Sequence, residues 1–295
     1  MANIGFVGLG HMGLPMAINL VKAGHEVRGF DIQPSAREAF VTAGGSEALT
    51  LQQAGSNQDI IITVLQTGHQ VQNVCLSHNG LFAVASAGSL YIDCSSIDVQ
   101  SSREIHQQAN NRQLLVVDAP VSGGVTGATA ATLTFMVGGS EEAYEKAKPT
   151  LAQMGKKIIH TGDAGSGQAA KICNNMILGI SMIAVSEAFI LAQHLGLSAQ
   201  KLFEVVSNSS GQCWSMSNYA PVPDLLENVP ANRNYQPGFT SAMMLKDLLL
   251  SQQSSMEVHV KTPMAERATQ LFQQFNDQGF SGLDFSAIIK LIETS

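Results

Sequence analysis

Three glycines, Gly8, Gly10 and Gly13, stand as G-x-G-x-x-G between a short apolar run and a helical one, and nothing else in the chain restricts its fold as tightly. Asn3–Val7 predicts a strand, and residues 14–23 predict a helix that stops at Gly24. Residues 26–31 predict the next strand. A strand, a glycine turn and a helix leading to a second strand form a βαβ unit, which places the two strands parallel with a right-handed crossover. In that context Gly8 permits the tight turn, Gly10 lets backbone approach a pyrophosphate, and Gly13 lets the helix pack close to the strand. His11 and Met12 complete the loop. The free N–H groups and positive end of the helix then face the phosphates of a dinucleotide.

The alternation continues through apolar, β-branched runs at 60–65, 90–93, 114–118, 132–137 and 157–161, with helical segments such as 35–43 and 141–154 between them. After Gly162 the pattern changes to helical periods with no convincing strand. Residues 168–195 predict one helix about 42 Å long at 1.5 Å per residue. It is apolar on almost every side after Met176, which predicts a place at the centre of a helical domain. Ser198 is expected to cap the helix that follows. Thr262 and Pro263 are expected to supply the N-cap and first-turn proline of another. The proline-bearing stretch 218–239 reads as a functional loop. The expected fold is α/β: a Rossmann-type parallel-sheet domain over 1–163, then an all-α domain over 164–295, joined by the long helix.

At 295 residues two domains are the better expectation. The net charge of −7 argues against nucleic acid as a partner. Cys75, Cys94, Cys173 and Cys213 form neither C-x-x-C nor a Cys/His cluster, so neither zinc nor a disulfide framework is expected, and a reducing, cytoplasmic setting is. The strand begins almost at once, so no leader peptide is expected ahead of it. The long apolar helix is interrupted by Ser181, Ser186 and Glu187 and is short for a membrane span, so no membrane partner is expected. The low charged fraction of 13% points to subunit contacts and the apolar long helix to a buried interface, hence a homodimer or homotetramer.

Asp31 closes the second predicted strand. An acid there accepts hydrogen bonds from ribose hydroxyls and repels a 2′-phosphate, which favours NAD over NADP. Arg37 lies near enough in sequence to weaken that preference slightly, and a turn or cap aspartate is the alternative reading of Asp31.

Ser122, Gly123 and Gly124 follow another predicted strand and can hold a carboxylate through a hydroxyl and backbone N–H groups. Read alone, they are more often a plain turn. Lys171 opens the long apolar helix, with no other Lys or Arg between Lys157 and Lys201. A lone ammonium there is costly unless it is used, and apolar surroundings lower a lysine pKa towards that of a base. Asn175 is one turn further along the same face. The alternative is a surface lysine whose stem packs on the helix.

These motifs together resemble the β-hydroxyacid dehydrogenase family. They run in order from the 8–13 loop, through the 118–124 turn and Gly138-Gly139, to the 167–175 run and Lys246-Asp247-Leu248. The run 167–176 and the segments 209–215, 221–223 and 234–239 narrow the resemblance to the branch acting on 3-hydroxyisobutyrate. The resemblance implies NAD-dependent oxidation of that small hydroxy acid to methylmalonate semialdehyde, a step of valine and branched-chain amino-acid catabolism. It implies Lys171 as the catalytic lysine, Asn175 as a substrate-placing group, and Ser122, Gly123 and Gly124 as the carboxylate site. It further implies Trp214 and Phe239 as substrate-side walls, Lys246 as a lysine reaching cofactor and substrate, and Leu65, Gln66 and Ser96 as cofactor-lining positions. Trp214 reads equally well as core or interface, and Lys246 as a partner of Asp247. Gln66 replaces the family's usual proline and Ala131 its usual glycine, which leaves fine cofactor contacts open. A tartronate or succinic semialdehyde reductase, or a non-catalytic NAD-binding scaffold, are the other readings.

Overall fold

The computed structural model describes residues 1–294. The chain divides into two compact units, Met1–Lys171 and Ile172–Ser295, so the division falls inside a helix.

The first unit is built on one sheet. Its strands are β1 (Asn3–Val7), β2 (Glu26–Phe30), β3 (Ser46–Glu47), β4 (Ile60–Thr63), β5 (Leu90–Asp93), β6 (Leu115–Asp118), β7 (Val121–Ser122), β8 (Leu133–Gly138) and β9 (Gly155–Gly162). They lie in the order β3-β2-β1-β4-β5-β6-β8-β7, with β9 beside β8. Helices α1 (Gly13–Lys22), α2 (Pro34–Thr42), α3 (Leu51–Gly55), α4 (Gly68–Leu76), α5 (Leu81–Val84), α6 (Val99–Asn110), α7 (Gly124–Thr129) and α8 (Glu141–Leu151) connect them.

Side chains alternate across the sheet with period two, and both faces are covered. Ile4, Phe6, Ile60, Ile62, Leu90 and Ile92 enter one core cluster. Their neighbours Val7, Ile61, Tyr91 and Val116 enter the other. This double burial explains why the central strands read as unbroken apolar runs.

The sheet is parallel, as expected, except at one place. β8 runs antiparallel to both β6 and β7, while β9 returns parallel to β8. The link from β6 to β8 carries only β7 and the six-residue α7. It lacks a full crossover helix, and without one the chain comes back in the opposite sense.

The long helix α9 (Ser166–His194) has 29 residues and leads into the helical second unit. There α10 (Ala199–Ser207), α11 (Trp214–Ser217), α12 (Ser241–Glu257), α13 (Pro263–Phe275) and α14 (Ile289–Glu293) follow. Met182, Phe189, Met244, Leu248, Phe272, Phe275 and Phe285 form the centre of its core. Ser198 caps α10 through Lys201 N, as its position predicts. Thr262 precedes α13 but makes no side-chain cap bond; its hydroxyl accepts from Gln252 Nε2 and donates to Ser255 Oγ instead.

Within one chain α9 is buried on one side only. Met182, Ile183 and Phe189 are buried, whereas Ile177 and Leu191, and Leu195 just past the helix end, are largely exposed. Length and hydropathy alone would let this helix cross a membrane, but the same is true of many core helices.

Candidate active site

In the first unit the strand order reverses at β1, which has β2 on one side and β4 on the other. Loops leaving the carboxyl ends of β1 and β4 flank a crevice at such a reversal. The 8–13 loop leaves β1. Gly8 adopts a φ of +98°, and a Cβ on it would strike the Val64 carbonyl that follows β4. A Cβ on Gly13 would strike the Gly8 carbonyl, so α1 starts in direct contact with the turn. Gly10 has nothing within 4 Å of its would-be Cβ, leaving its backbone open to an approaching group. This bare backbone at a helix start, beside a strand-end carboxylate, fits the pyrophosphate and ribose of a dinucleotide. His11 is exposed and Met12 half-buried.

Asp31 sits one residue past β2. Its Oδ2 accepts the Leu9 N–H at 2.7 Å and its Oδ1 accepts the Gln33 N–H at 2.8 Å, so the acid is fastened to the glycine loop. Arg37 is also committed: it pairs with Glu47 at 2.7 Å and donates to the Asp31 carbonyl at 2.6 Å. After β4, Leu65 N–H donates to Ser95 Oγ at 2.8 Å, and Gln66 N–H donates to Gln70 Oε1 at 3.0 Å. Ser95 N–H and the Thr63 hydroxyl both donate to Asp93 Oδ1. Burial holds the Asp93 carboxyl above the ordinary aspartate range, with those hydrogen bonds opposing the shift. Ser96 follows directly, in the loop after β5.

Ser122 ends β7, and Gly123 and Gly124 follow with φ of 135° and 62°. Two consecutive left-handed residues are what glycines permit, and they turn the chain abruptly into α7. Lys171 lies on the second turn of α9 and is only 8% exposed, which excludes the surface-lysine alternative. Asn175, one turn on, is buried.

In the second unit Asn175 Nδ2 donates to Asp247 Oδ2, and Lys246 Nζ lies 3.6 Å from Asp247 Oδ1. Asp247 is therefore a buried carboxylate joining the Asn175 amide to a half-exposed ammonium. Trp214 is 51% exposed and stacks on Tyr219 at 4.9 Å, so it is not a core residue. Tyr219 stacks in turn on Phe285, which meets Phe239 edge-on at 5.8 Å. Asp284, fully buried, fixes this group: its Oδ2 accepts the Tyr219 hydroxyl at 2.9 Å and the N–H groups of Gly238 and Phe239. Its Oδ1 accepts from Ser286.

Two family models match almost the whole length. Residues 3–162 match the NAD-binding domain of 6-phosphogluconate dehydrogenase, and residues 165–292 match the NAD-binding region of NADP-dependent 3-hydroxyisobutyrate dehydrogenase. The chain belongs to the β-hydroxyacid dehydrogenase family. Within that family it is 43% identical over 293 residues to 3-hydroxyisobutyrate dehydrogenase of Pseudomonas aeruginosa, covering 99% of this chain and 98% of that one. It is 44% identical over 293 residues to an NAD-dependent L-serine dehydrogenase of the same organism, again covering 99% and 98%. The solved structure of Mycobacterium tuberculosis 3-hydroxyisobutyrate dehydrogenase with L-serine superposes with a TM-score of 0.94 at 44% identity, covering 99% of each chain. The protein is thus an NAD-dependent oxidoreductase with a Rossmann-type first unit and a helical second one.

Several residues that organise this β-hydroxyacid dehydrogenase escape a sequence reading. Asp284 has no motif around it, and its partners Tyr219 and Phe239 lie 65 and 45 residues away. Asp118 is visible only as the first residue of the 118–124 run. Its hydrogen-bond partners on α6 and at the start of α9 emerge only from the folded chain. Gln168 shows no signal beyond its place in the 167–175 run.

Proposed function

We propose that this β-hydroxyacid dehydrogenase oxidises 3-hydroxyisobutyrate to methylmalonate semialdehyde, with Lys171 as general base. The observation that carries the reading is the burial of Lys171 one helical turn ahead of buried Asn175. A relative at 43% identity with the same activity in its name supports the substrate. Ser122 and the N–H groups of Gly123 and Gly124 hold the substrate carboxylate. Asn175, steadied by Asp247, orients the hydroxyl. NAD, when bound, supplies the hydride acceptor. Lys171 Nζ accepts the hydroxyl proton as the carbinol carbon gives up its hydride, and the C–O bond becomes a carbonyl. Trp214 and Phe239 wall the substrate side, and Lys246 reaches towards cofactor and substrate. His11, Met12, Leu65, Gln66 and Ser96 line the cofactor together with the three glycines and Asp31.

NAD is the preferred cofactor on this reading. Asp31 puts negative charge beside the ribose, and the Arg37 guanidinium is already engaged by Glu47 and the Asp31 carbonyl. The enzyme works in the cytoplasm on valine-derived carbon, as a homodimer or homotetramer.

A second reading has a specific support. L-Serine is a β-hydroxy acid of similar size, and one relative at 44% identity is an L-serine dehydrogenase. Initial rates with 3-hydroxyisobutyrate, L-serine, tartronate and 4-hydroxybutyrate, each with NAD and with NADP, decide between them. The expected result is the highest kcat/KM for 3-hydroxyisobutyrate with NAD. A clear lead for L-serine would replace the substrate, and a clear lead for NADP would reverse the cofactor preference. Lys171→Ala is expected to lower kcat by roughly 10²- to 10⁴-fold with NAD affinity nearly intact.

A further inference from the structure

The start of the lysine-bearing helix is fastened more heavily than helix capping requires. Asp118, the last residue of β6, is 1% exposed. Its Oδ1 accepts the Gly165 N–H at 2.9 Å and lies 2.9 Å from His106 Nε2. Its Oδ2 accepts the Gln168 N–H at 2.9 Å. Gln168 is fully buried; its Nε2 donates to the Ser95 carbonyl at 2.8 Å and its Oε1 accepts the Ile97 N–H at 3.1 Å. Backbone closes in around the carboxylate. A Cβ on Gly167 would lie 2.7 Å from Asp118 Oδ2, and one on Gly138 would lie 2.5 Å from Asp118 Oδ1.

A neutral serine or asparagine caps a helix about as well as an aspartate and avoids the cost of burying a charge. The extra contacts have a different result. Asp118 lies four residues before Ser122 in the chain, and Gln168 lies three before Lys171. One carboxylate therefore fixes the backbone origin of the 122–124 turn and the backbone origin of the amine. Gln168 adds a tie to the loop after β5, where Ser96 lies.

We propose that Asp118, with His106 and Gln168, is the positioning group for Lys171, setting the register of the first turn of α9 against the 122–124 turn. The proposal rests on the reading of Lys171 as the base. None of the three residues is assigned contact with substrate. Their effect comes through geometry, and a misplacement of about 1 Å at a proton acceptor is enough to cost on the order of a hundredfold in rate.

Two variants test it. Asp118→Asn keeps the shape and removes the charge, and Gln168→Met keeps the length and removes both hydrogen bonds to the β5 loop. Each is compared with wild type and Lys171→Ala, using whichever of 3-hydroxyisobutyrate and L-serine is turned over faster. The readouts are kcat per folded molecule, the KM of each substrate, NAD affinity, and the primary isotope effect with deuterium on the carbinol carbon. We expect kcat to fall about ten- to a hundredfold in both variants. The isotope effect rises as the chemical step becomes limiting, and NAD affinity stays within about twofold. Wild-type kcat and isotope effect in folded Gln168→Met would overturn the proposal, even if Asp118→Asn does not fold. So would a loss that disappears when rates are scaled to folded protein. Turnover retained by Lys171→Ala would instead refute the base itself, whereas an inactive Lys171→Ala beside unaffected Asp118→Asn and Gln168→Met rejects the positioning role alone.

Discussion

Ala131 replaces a glycine common in the family, and the backbone there shows why glycine suits the place. Its φ is 55°, in the left-handed region where a Cβ meets the following carbonyl. The penalty is about 1–2 kcal/mol, offset in part by the roughly 0.5–1 kcal/mol that glycine loses through its freer unfolded chain. Ala131→Gly is therefore expected to stabilise the protein by up to about 1 kcal/mol, read as a higher urea midpoint; a lower midpoint would show that the strain is absorbed elsewhere. Asp93 offers a test with pH. Burial raises its pKa above the ordinary 3.8, with hydrogen bonds from Ser95 and Thr63 opposing and nearby Asp118 adding to the rise. A carboxyl with a raised folded-state pKa holds its proton more tightly in the folded chain. Its contribution is complete below the unfolded pKa and is lost as pH rises through the folded one. Asp93→Asn carries no such proton. As pH rises above the ordinary aspartate range, the urea midpoint of wild type should lose ground to that of the variant, and parallel curves would show that Asp93 does not titrate with a raised pKa.

At the scale of elements, legibility in the sequence follows the range of the forces involved. The β1–α1 unit is readable because glycine spacing and apolar period are local. The 29-residue helix α9 is readable for the same reason, and the expectation of 168–195 differs from it by two residues at the start and one at the end. β7 and the reversal at β8 are not readable, because strand direction depends on what the connection can span. The aromatic group of the second unit is half legible. Trp214 and Phe239 are recognisable by resemblance, but Tyr219, Phe285 and the Asp284 that joins them are not, since a buried carboxylate shows no period. Tyr219→Phe probes that assembly. It removes a hydroxyl donor from Asp284 Oδ2 and leaves the carboxylate less satisfied, at about 1–3 kcal/mol. The stack that orients Trp214 loosens with it. A several-fold rise in the hydroxy-acid KM is expected, with the NAD KM unchanged; equal changes in both would place the aromatic group outside the substrate side.

For the molecule as a whole, α9 carries the argument for self-association. Its exposed side is not randomly apolar. Ile177, Ala184 and Leu191 recur every seven residues, and Ser181, Ala188 and, just past the helix end, Leu195 interleave four residues later in each repeat. Ile177, Leu191 and Leu195 are 61%, 60% and 76% exposed. That is the a/d spacing of two packed helices, with small residues in the middle where backbones approach and large ones at the ends. The opposite side of the same helix buries Met182, Ile183 and Phe189 in the core of its own chain. A helix amphipathic against its own fold would turn charge outward here, and α9 turns leucine and isoleucine outward instead, with Glu187 as the charged exception. Covering each leucine would contribute up to about 1.5–3 kcal/mol, and pairing of two α9 helices about a two-fold axis is the expected route to a dimer. Ala184→Arg puts a long cation at the centre of that stripe without touching the residues assigned to chemistry. Light scattering is expected to find a dimer or tetramer for wild type and a smaller species for the variant. If the variant keeps the wild-type mass, the association surface lies elsewhere, with the exposed Leu249, Met256 and Met264 of α12 and α13 as the next stripe to test.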